Sequence, residues 1–202
     1  MSATRRRWMC TVTAAAACLS FPVSRVAMTM SETRSIEFIP ATALPEAELA
    51  RHEKYMAMAI DLAEAGPGPF GTVIVDPQAD KVVCTGVNQH TVSPILHGEI
   101  VAINNCAKIE PRVDWRKLDL YTSAEPCPMC QSAIVWAGIS RVIYGTSIDD
   151  LVQFGIRQIR LDSPTVSAAA SFYSGSIISG VLKTRSDTLY RRWATSRGRH
   201  PN

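Results

Sequence analysis

The chain has 202 residues, of which 47% are hydrophobic and 19% are charged. This length fits one well-packed domain with a few additional segments, and this composition excludes an intrinsically disordered or fibrous chain. The formal net charge is +3, but residues 1–30 hold four arginines and no acidic residue. The remainder is therefore close to neutral, which gives little reason to expect a nucleic-acid partner.

The first 30 residues have the pattern of a targeting segment. A triple arginine at positions 5–7, followed by Trp8, is similar to a twin-arginine export signal, and residues 10–21 are weakly apolar and rich in alanine. That stretch is too short to span a bilayer, so no transmembrane segment is expected. We therefore expect residues 1–30 to be an export signal of the twin-arginine type and the protein to be periplasmic or exported. A disordered leader on a cytoplasmic protein is the alternative.

Periodicity predicts the structured elements in chain order. They are a helix at 44–65, a hairpin of strands at 70–75 and 82–87, a helix at 97–109, a strand at 118–122, a helix at 127–137 and a strand at 141–144. Beyond residue 145 the pattern weakens to a short helix at 151–158, a short strand at 159–161 and a terminal helix at 181–193. This order predicts an α/β fold, in which helices cover a mixed sheet and a parallel crossover lies near residue 127.

Some residues are expected in the core on general grounds. Two of the six cysteines lie in the leader, and Cys84 and Cys106 stand among apolar neighbours. Because unpaired cysteine is among the most frequently buried residue types, both are predicted to be buried free thiols rather than metal ligands or a disulfide. Trp136 and Phe154 are predicted to be core residues rather than platforms for a bound ring.

Two short segments carry candidate chemistry, His97-Gly98-Glu99 and the C-x-x-C pair Cys127 and Cys130. Each segment opens a predicted helix, where backbone amides and the helix dipole favour negative charge and so favour ionised thiols. One imidazole and two thiolates supply three ligands and leave a fourth tetrahedral position for water, which is the arrangement of a catalytic zinc site. Glu99 lies two residues from His97, where its carboxylate can move a proton between water and a leaving amine.

Other interpretations of these segments are weaker. A C-x-x-C before a helix also occurs in thioredoxin-like redox proteins. A structural zinc site needs four protein ligands, and His90 is the only further local candidate. The occurrence of both segments at helix starts, in this order, favours a catalytic zinc site.

Together the segments match the H-x-E and P-C-x-x-C signature of zinc-dependent nucleobase deaminases. From about residue 46 to residue 161 the chain resembles the cytidine and deoxycytidylate deaminase superfamily. The resemblance implies a three-layer α/β/α fold, one Zn²⁺ per subunit, a small-molecule substrate and a homodimer. It places a zinc deaminase domain at 44–162. Residues 163–202 then form a divergent, largely helical segment that packs near the site or against a partner subunit.

Further details resemble the branch that acts on purines or free bases. Residues 69–75 are similar to the first strand of guanine deaminases and tRNA adenosine deaminases, and Asn88 matches an asparagine that contacts the base in both groups. Residues 121–130 and 133–137 are similar to guanine deaminases. The resemblance also implies substrate contacts for Phe70 and Asp150. After Asp150 the sequence departs from this branch.

Three hypotheses follow. The first is a hydrolytic deaminase that releases ammonia from guanine or a related aminated ring, with Glu99 catalytic, His97, Cys127 and Cys130 binding zinc, and Asn88, Asp150 and Phe70 binding substrate. The second is a tRNA adenosine deaminase, which the basic residues between 183 and 199 favour and the near-neutral remainder opposes. The third is a catalytically silent zinc-binding protein, for which the Glu99 carboxylate would have no purpose.

Overall fold

The computed structural model describes residues 35–109 and 113–198. Within them the elements are strand β1 (Ile36–Pro40), helix α1 (Glu46–Ala65), strands β2 (Gly71–Asp76) and β3 (Lys81–Val87), helix α2 (Gly98–Ile109), strand β4 (Asp119–Ala124), helix α3 (Pro128–Ala137), strand β5 (Arg141–Thr146), helices α4 (Ile148–Gln153) and α5 (Ser163–Ala168), strand β6 (Gly175–Ser179) and helix α6 (Lys183–Ser196).

The strands form one six-stranded sheet in the order β1-β6-β5-β4-β2-β3. The strands β1, β6, β5 and β4 run parallel to one another, whereas β2 pairs antiparallel with both β3 and β4. The predicted α/β fold with a mixed sheet is therefore confirmed.

Side chains point alternately to the two faces of the sheet along each strand, so the hydrophobic core is divided between these faces. One face packs against α1, α4 and α6 through Val73, Val75, Tyr121, Ile143 and Ile178. The opposite face packs against α2 and α3 through Ile74, Leu120, Val142, Tyr144 and Ile177. Because side chains alternate between faces along a strand, helices on both faces produce the three layers expected.

Two glycines allow helices to lie directly against the sheet. A Cβ atom at Gly71 would lie 2.2 Å from the carbonyl oxygen of Ala59 in α1, and one at Gly86 would lie 2.2 Å from the carbonyl oxygen of Gly98 in α2. Backbone contact at Gly86 fixes the start of α2, which is the part of the helix that carries the candidate site.

The structure corrects the cysteine prediction. Cys84 in β3 and Cys106 in α2 form a disulfide, with their Cα atoms 5.5 Å apart. The prediction of free thiols was wrong because it considered each cysteine against its neighbours in sequence. The close packing of α2 on β3 brings the two side chains within bonding distance.

The region after β5 also differs from the prediction. Residues 159–161 form no strand, and the short helix begins at Ile148 rather than residue 151 because the hydroxyl of Ser147 accepts the Asp150 N–H as an N-cap. Strand β6 was not predicted, since only Ile177 and Ile178 are apolar in a Gly-Ser-Ile-Ile-Ser segment. Strand β1 was not predicted either.

The C-terminal segment belongs to the same sheet and core as the residues before it. Strand β6 lies between β5 and β1, and helix α6 buries Leu189, Tyr190 and Ala194 against the sheet and α1. The side chain of Arg192 pairs with Glu64 of α1 at 3.1 Å. The compact unit therefore extends through α6, beyond the boundary expected at residue 162.

Trp136 is 77% exposed, so its predicted core position was wrong, whereas Phe154 is 5% exposed and lies in the core as predicted.

No helix in residues 35–109 and 113–198 has both the length and the apolar character needed to cross a membrane. The predicted export signal lies outside the described residues.

Candidate metal centre and active site

Three potential metal ligands meet where β4 leads into α3. His97 directly precedes α2, Cys127 is the N-cap residue of α3, and Cys130 lies in the first turn of α3. Pro128 occupies the first turn of α3, where the missing N–H of proline has no helical partner to lose. The short connection between β4 and α3 thus holds both thiols at one helix terminus.

The ligand atoms have the spacing that zinc requires. The Nδ1 atom of His97 lies 3.5 Å from the Sγ atom of Cys127 and 3.6 Å from the Sγ atom of Cys130. Tetrahedral zinc, with typical Zn–N and Zn–S bond lengths, requires N···S separations of about 3.6 Å. All the ligand atoms lie within 4.8 Å of one another, and the described residues hold no other such cluster of His, Cys, Asp or Glu side chains. The donor set therefore fits zinc with three protein ligands.

The two thiols differ in acidity because they share a hydrogen bond. The bond from Cys130 lowers the pKa of Cys127 to about 4, although burial opposes this change, and the same bond raises the pKa of Cys130. The pair thus holds a thiolate at Cys127 at neutral pH, which is the form that binds a metal.

Glu99 lies in the first turn of α2 beside these ligands. It is 4% exposed, and burial raises the pKa of its carboxyl group. A buried carboxyl group beside the metal ligands is placed to accept a proton from water and to pass it to a substrate. Its burial next to three metal ligands has no evident purpose in a purely structural zinc site.

Thr122 binds the Glu99 carboxylate and Thr72 lies behind it, and neither threonine was predicted as a site residue. Thr122 of β4 donates a hydrogen bond to the Oε1 atom of Glu99 at 3.2 Å, and Thr72 of β2 donates to the Thr122 hydroxyl at 3.4 Å. Both threonines are fully buried. Polar residues within otherwise apolar strands were the sequence signal for this pair.

Glu125 was also missed, although it lies two residues before Cys127. Its carboxylate is buried and accepts the N–H of Ile148 at 2.9 Å, together with the N–H and the hydroxyl of Ser163 at 2.8 and 2.9 Å. Three donors to one carboxylate connect the loop that carries Cys127 to the starts of α4 and α5.

Phe70 and Asn88 adjoin the same site from the β2 and β3 side. The carbonyl oxygen of Phe70 accepts the Asn88 N–H at 3.0 Å and would lie 3.0 Å from a Cβ atom at Gly98. The ring of Phe70 packs on Tyr190 of α6, with centroids 5.2 Å apart. The side-chain oxygen of Asn88 accepts the N–H of His90, and the Nδ2 group has no hydrogen-bond partner among the described residues.

Asp150 has structural partners. Its carboxylate accepts the hydroxyl proton of Ser147 at 2.5 Å and pairs with Lys183 at 2.8 Å. These contacts connect α4 to α6, so the structure gives Asp150 a role in packing. Its predicted contact with substrate stays a prediction.

A cavity of about 550 Å³ opens beside the metal ligands. Its lining residues are Pro94, His97, Cys127, Met129, Arg157, Gln158 and Ile159. Phe70, Asn88 and Asp150 do not line it. A cavity of this size holds a single heterocycle, and the two metal ligands in its wall give that heterocycle access to the metal.

Relatives of the chain are named as deaminases with different substrates. A probable cytosine deaminase of Schizosaccharomyces pombe is 34% identical over 113 residues, which cover 56% of this chain and 68% of that protein. The guanine deaminase of Bacillus subtilis is 35% identical over 133 residues, which cover 60% and 84%. A tRNA-specific adenosine deaminase of Rickettsia felis is 29% identical over 129 residues, which cover 62% and 85%.

Solved structures agree on the fold. The structure of guanine deaminase from Nitrosomonas europaea superposes with a TM-score of 0.60 at 21% identity, covering 75% of this chain and 94% of that one. At this identity the likeness concerns the fold alone.

The zinc-binding region of cytidine and deoxycytidylate deaminases matches residues 49–146, which include all three ligands and Glu99. Zinc as the cofactor is confirmed by this match together with the donor set. The chain belongs to the cytidine and deoxycytidylate deaminase family.

Proposed function

We propose that the protein hydrolyses guanine, or a closely related aminated purine, to release ammonia. The observation that carries the proposal is the buried Glu99 carboxylate, which is held by Thr122 beside a His-Cys-Cys ligand set. This arrangement suits the addition of water to an amidine-like ring carbon and the departure of the amino group.

The reaction needs one water molecule and a carboxylate that moves protons. When bound by His97, Cys127 and Cys130, zinc supplies Lewis acidity that lowers the pKa of water to about 7. Glu99 takes a proton from the attacking water and passes it to a ring nitrogen, and the second proton leaves with the amino group as ammonia. A C2–O bond forms first and the bond from C2 to the exocyclic amino nitrogen then breaks, so guanine and water yield xanthine and ammonia.

Two observations support a purine base as the substrate. The guanine deaminase of Bacillus subtilis is 35% identical, and the shared region covers 84% of that protein. The backbone N–H of Asn88 binds the Phe70 carbonyl group that lies beside Gly98, and the Asn88 Nδ2 group has no hydrogen-bond partner among the described residues. An asparagine amide is a suitable donor to a ring nitrogen or carbonyl group.

A tRNA substrate has less support. Phosphate binding would need available basic side chains. On α6, however, Arg185 pairs with Asp61, Arg192 with Glu64, and Lys183 with Asp150 and Asp187, while Arg191 lies over the ring of Phe154. Most of the basic charge near the C-terminus therefore already has partners within the chain.

The test is ammonia release by the zinc-loaded full chain with guanine, guanosine, adenine, cytosine and cytidine, and with an adenosine-containing tRNA anticodon stem-loop. We expect release from guanine, and loss of at least 1,000-fold in kcat with Glu99→Gln at unchanged zinc content. Release from the stem-loop alone would establish the tRNA alternative. Bound zinc without release from any compound would establish the silent alternative.

We also propose that the protein is exported. A buried disulfide is typical of oxidising compartments, and the Cys84–Cys106 bond is consistent with the predicted export signal. Cell fractionation with an antibody to the native chain tests this. Recovery only from the cytoplasm, with Cys84 and Cys106 reduced, would contradict it.

We also propose that the protein forms a homodimer, as the family resemblance implies. Trp136 and Phe172 pack ring on ring at the surface with centroids 5.0 Å apart, and both side chains are at least half exposed. Large exposed aromatic patches mark interaction surfaces. Light scattering tests the proposal, with a monomeric mass as the contrary result.

A further inference from the structure

The cavity beside the metal ligands contains one cationic side chain, Arg157. The other polar groups in its wall are His97, Cys127 and Gln158. With zinc bound and both cysteines ionised, the ligand set would carry no net charge. Arg157 is therefore the feature that gives this end of the site a preference for hydrogen-bond acceptors.

Arg157 is available to a ligand. Among residues 35–109 and 113–198 it forms no ion pair, whereas its neighbour Arg160 pairs with Asp149 at 3.5 Å. The two arginines lie in the same irregular segment after α4, and only Arg157 lines the cavity. Since an arginine has five N–H donors and no acceptor, Arg157 can be satisfied there only by water or by acceptor atoms of a ligand.

The remaining wall suits a flat ring. Pro94, Met129 and Ile159 provide apolar surface, and Gln158 adds a second hydrogen-bonding side chain next to Arg157. A ring bound in this cavity can therefore contact both the metal ligands and the polar groups of Arg157 and Gln158. Apolar faces with a few polar groups at the edges are the usual composition of a heterocycle site.

We infer that Arg157 is a specificity-determining residue that binds the carbonyl O6 and ring N7 of a purine whose C2 amino group is removed. The inference rests on the proposed function. In guanine the O6 and N7 acceptors lie on the edge across the ring from C2, and a guanidinium group binds this pair in a bidentate manner. Adenine, with C6 at the metal, presents no carbonyl on its opposite edge. Arg157 therefore selects 2-amino-6-oxopurines over adenine.

The experiment compares guanine with 2-aminopurine, which keeps the C2 amino group and lacks O6. With Arg157→Ala we expect kcat/KM for guanine to fall about 10- to 100-fold, the range of one bidentate contact, and kcat/KM for 2-aminopurine to fall by a clearly smaller factor, because that compound offers Arg157 only the N7 acceptor. Arg160→Ala is the matched control and should change neither value. An equal effect of Arg157→Ala on both compounds, or no effect, would overturn the inference.

A second measurement does not depend on turnover. Calorimetry on the zinc-loaded protein compares binding of hypoxanthine, which carries O6 and N7, with binding of purine, which lacks O6. Arg157→Ala should weaken hypoxanthine binding by about the same 10- to 100-fold and weaken purine binding by a clearly smaller factor, since purine retains only the N7 acceptor. If the wild type releases no ammonia yet shows this difference, the proposed reaction fails and the Arg157 assignment stands. If guanosine monophosphate is the compound whose binding depends on Arg157, the side chain binds phosphate and the assignment is overturned.

Discussion

Single hydroxyl groups in the sheet control where the Glu99 carboxylate lies. Thr122 donates to Glu99, and Thr72 donates to Thr122, so two neighbouring strands fix one carboxylate oxygen. Thr122→Val removes the donor at nearly constant volume, and we expect kcat to fall about 10-fold or more with little change in KM or zinc content. Steady-state kinetics on guanine and metal analysis test this.

The conservative variant separates positioning from packing. Thr122→Ser retains the hydroxyl and should keep most of the wild-type kcat, although it loses a methyl group. A Thr122→Val enzyme with full kcat would show that the hydrogen bond does not matter for turnover.

The buried imidazole of His52 is expected to make the stability of the fold depend on pH. It is fully buried in α1, its Nδ1 atom lies 2.9 Å from the Tyr121 hydroxyl, and its Nε2 atom has no hydrogen-bond partner. Burial, together with Arg51 and Arg141, lowers its pKa from 6.5 to about 4, and nearby Glu48 offsets this only in part. Between these values the unfolded chain takes up a proton that the folded chain does not, so stability decreases as pH falls.

The expected loss between pH 7 and pH 5 is on the order of 2 kcal/mol. Urea unfolding at the two pH values measures it. The variant His52→Gln can keep a hydrogen bond to Tyr121 and does not titrate. Between pH 7 and pH 5 its free energy of unfolding should therefore fall by about 2 kcal/mol less than that of the wild type. Identical pH profiles for the two proteins would contradict the assignment.

At the scale of elements, the disulfide holds α2 against β3. Its loop spans a sequence separation of 22 residues, and closing a loop of that length stabilises a fold by about 3 kcal/mol in the chain-entropy treatment. The double variant Cys84→Ser with Cys106→Ser should lose stability of this order in urea unfolding at fixed zinc concentration. Thiol labelling in denaturant without reductant should leave two wild-type cysteines unlabelled, whereas labelling of all six would exclude the disulfide.

The hydrogen bonds of Glu125 join the loop that carries Cys127 to the starts of α4 and α5, so we expect them to affect how long the protein retains its metal. Glu125→Gln replaces one acceptor oxygen by a donor that faces the N–H groups of Ile148 or Ser163, and we expect about 1–3 kcal/mol of destabilisation with faster zinc loss. Zinc release to a coloured chelator measures the second effect. Ser163→Ala removes only one hydroxyl and should have a smaller effect on both quantities.

The sequence was most informative where pattern and local chemistry coincide. Helix α1 and the β2–β3 hairpin follow visible periodicity, and the ligand residues follow spacing at helix starts. Strand β6 was not visible because Gly175 and the flanking serines hide its two isoleucines. The disulfide and the position of Arg157 depend on which elements pack together, and no local pattern in one sequence carries that information.

For the whole molecule, the C-terminal helix is part of the site's support. Tyr190 of α6 is fully buried, and its hydroxyl lies 2.7 Å from that of Ser123, which in turn accepts the Gly71 N–H at 3.1 Å. Tyr190→Phe should lose about 1 kcal/mol of stability, and Tyr190→Ala about 3–5 kcal/mol because it also leaves a cavity. Chemical unfolding of both variants tests this. Wild-type stability of Tyr190→Ala would place α6 outside the cooperative core.

The contacts of Glu125 and the Cys84–Cys106 bond also bear on how the protein acquires its metal. These contacts fix α2 and the loop before α3 without using any of the three ligand side chains. In small zinc fingers the metal supplies the free energy of folding itself, so that chelators unfold them. Here a hydrophobic core on both faces of the sheet supplies the free energy of folding. We therefore expect metal exchange to proceed on the folded chain, so that one preparation could be emptied of zinc and refilled with cobalt as a spectroscopic reporter of the ligand geometry.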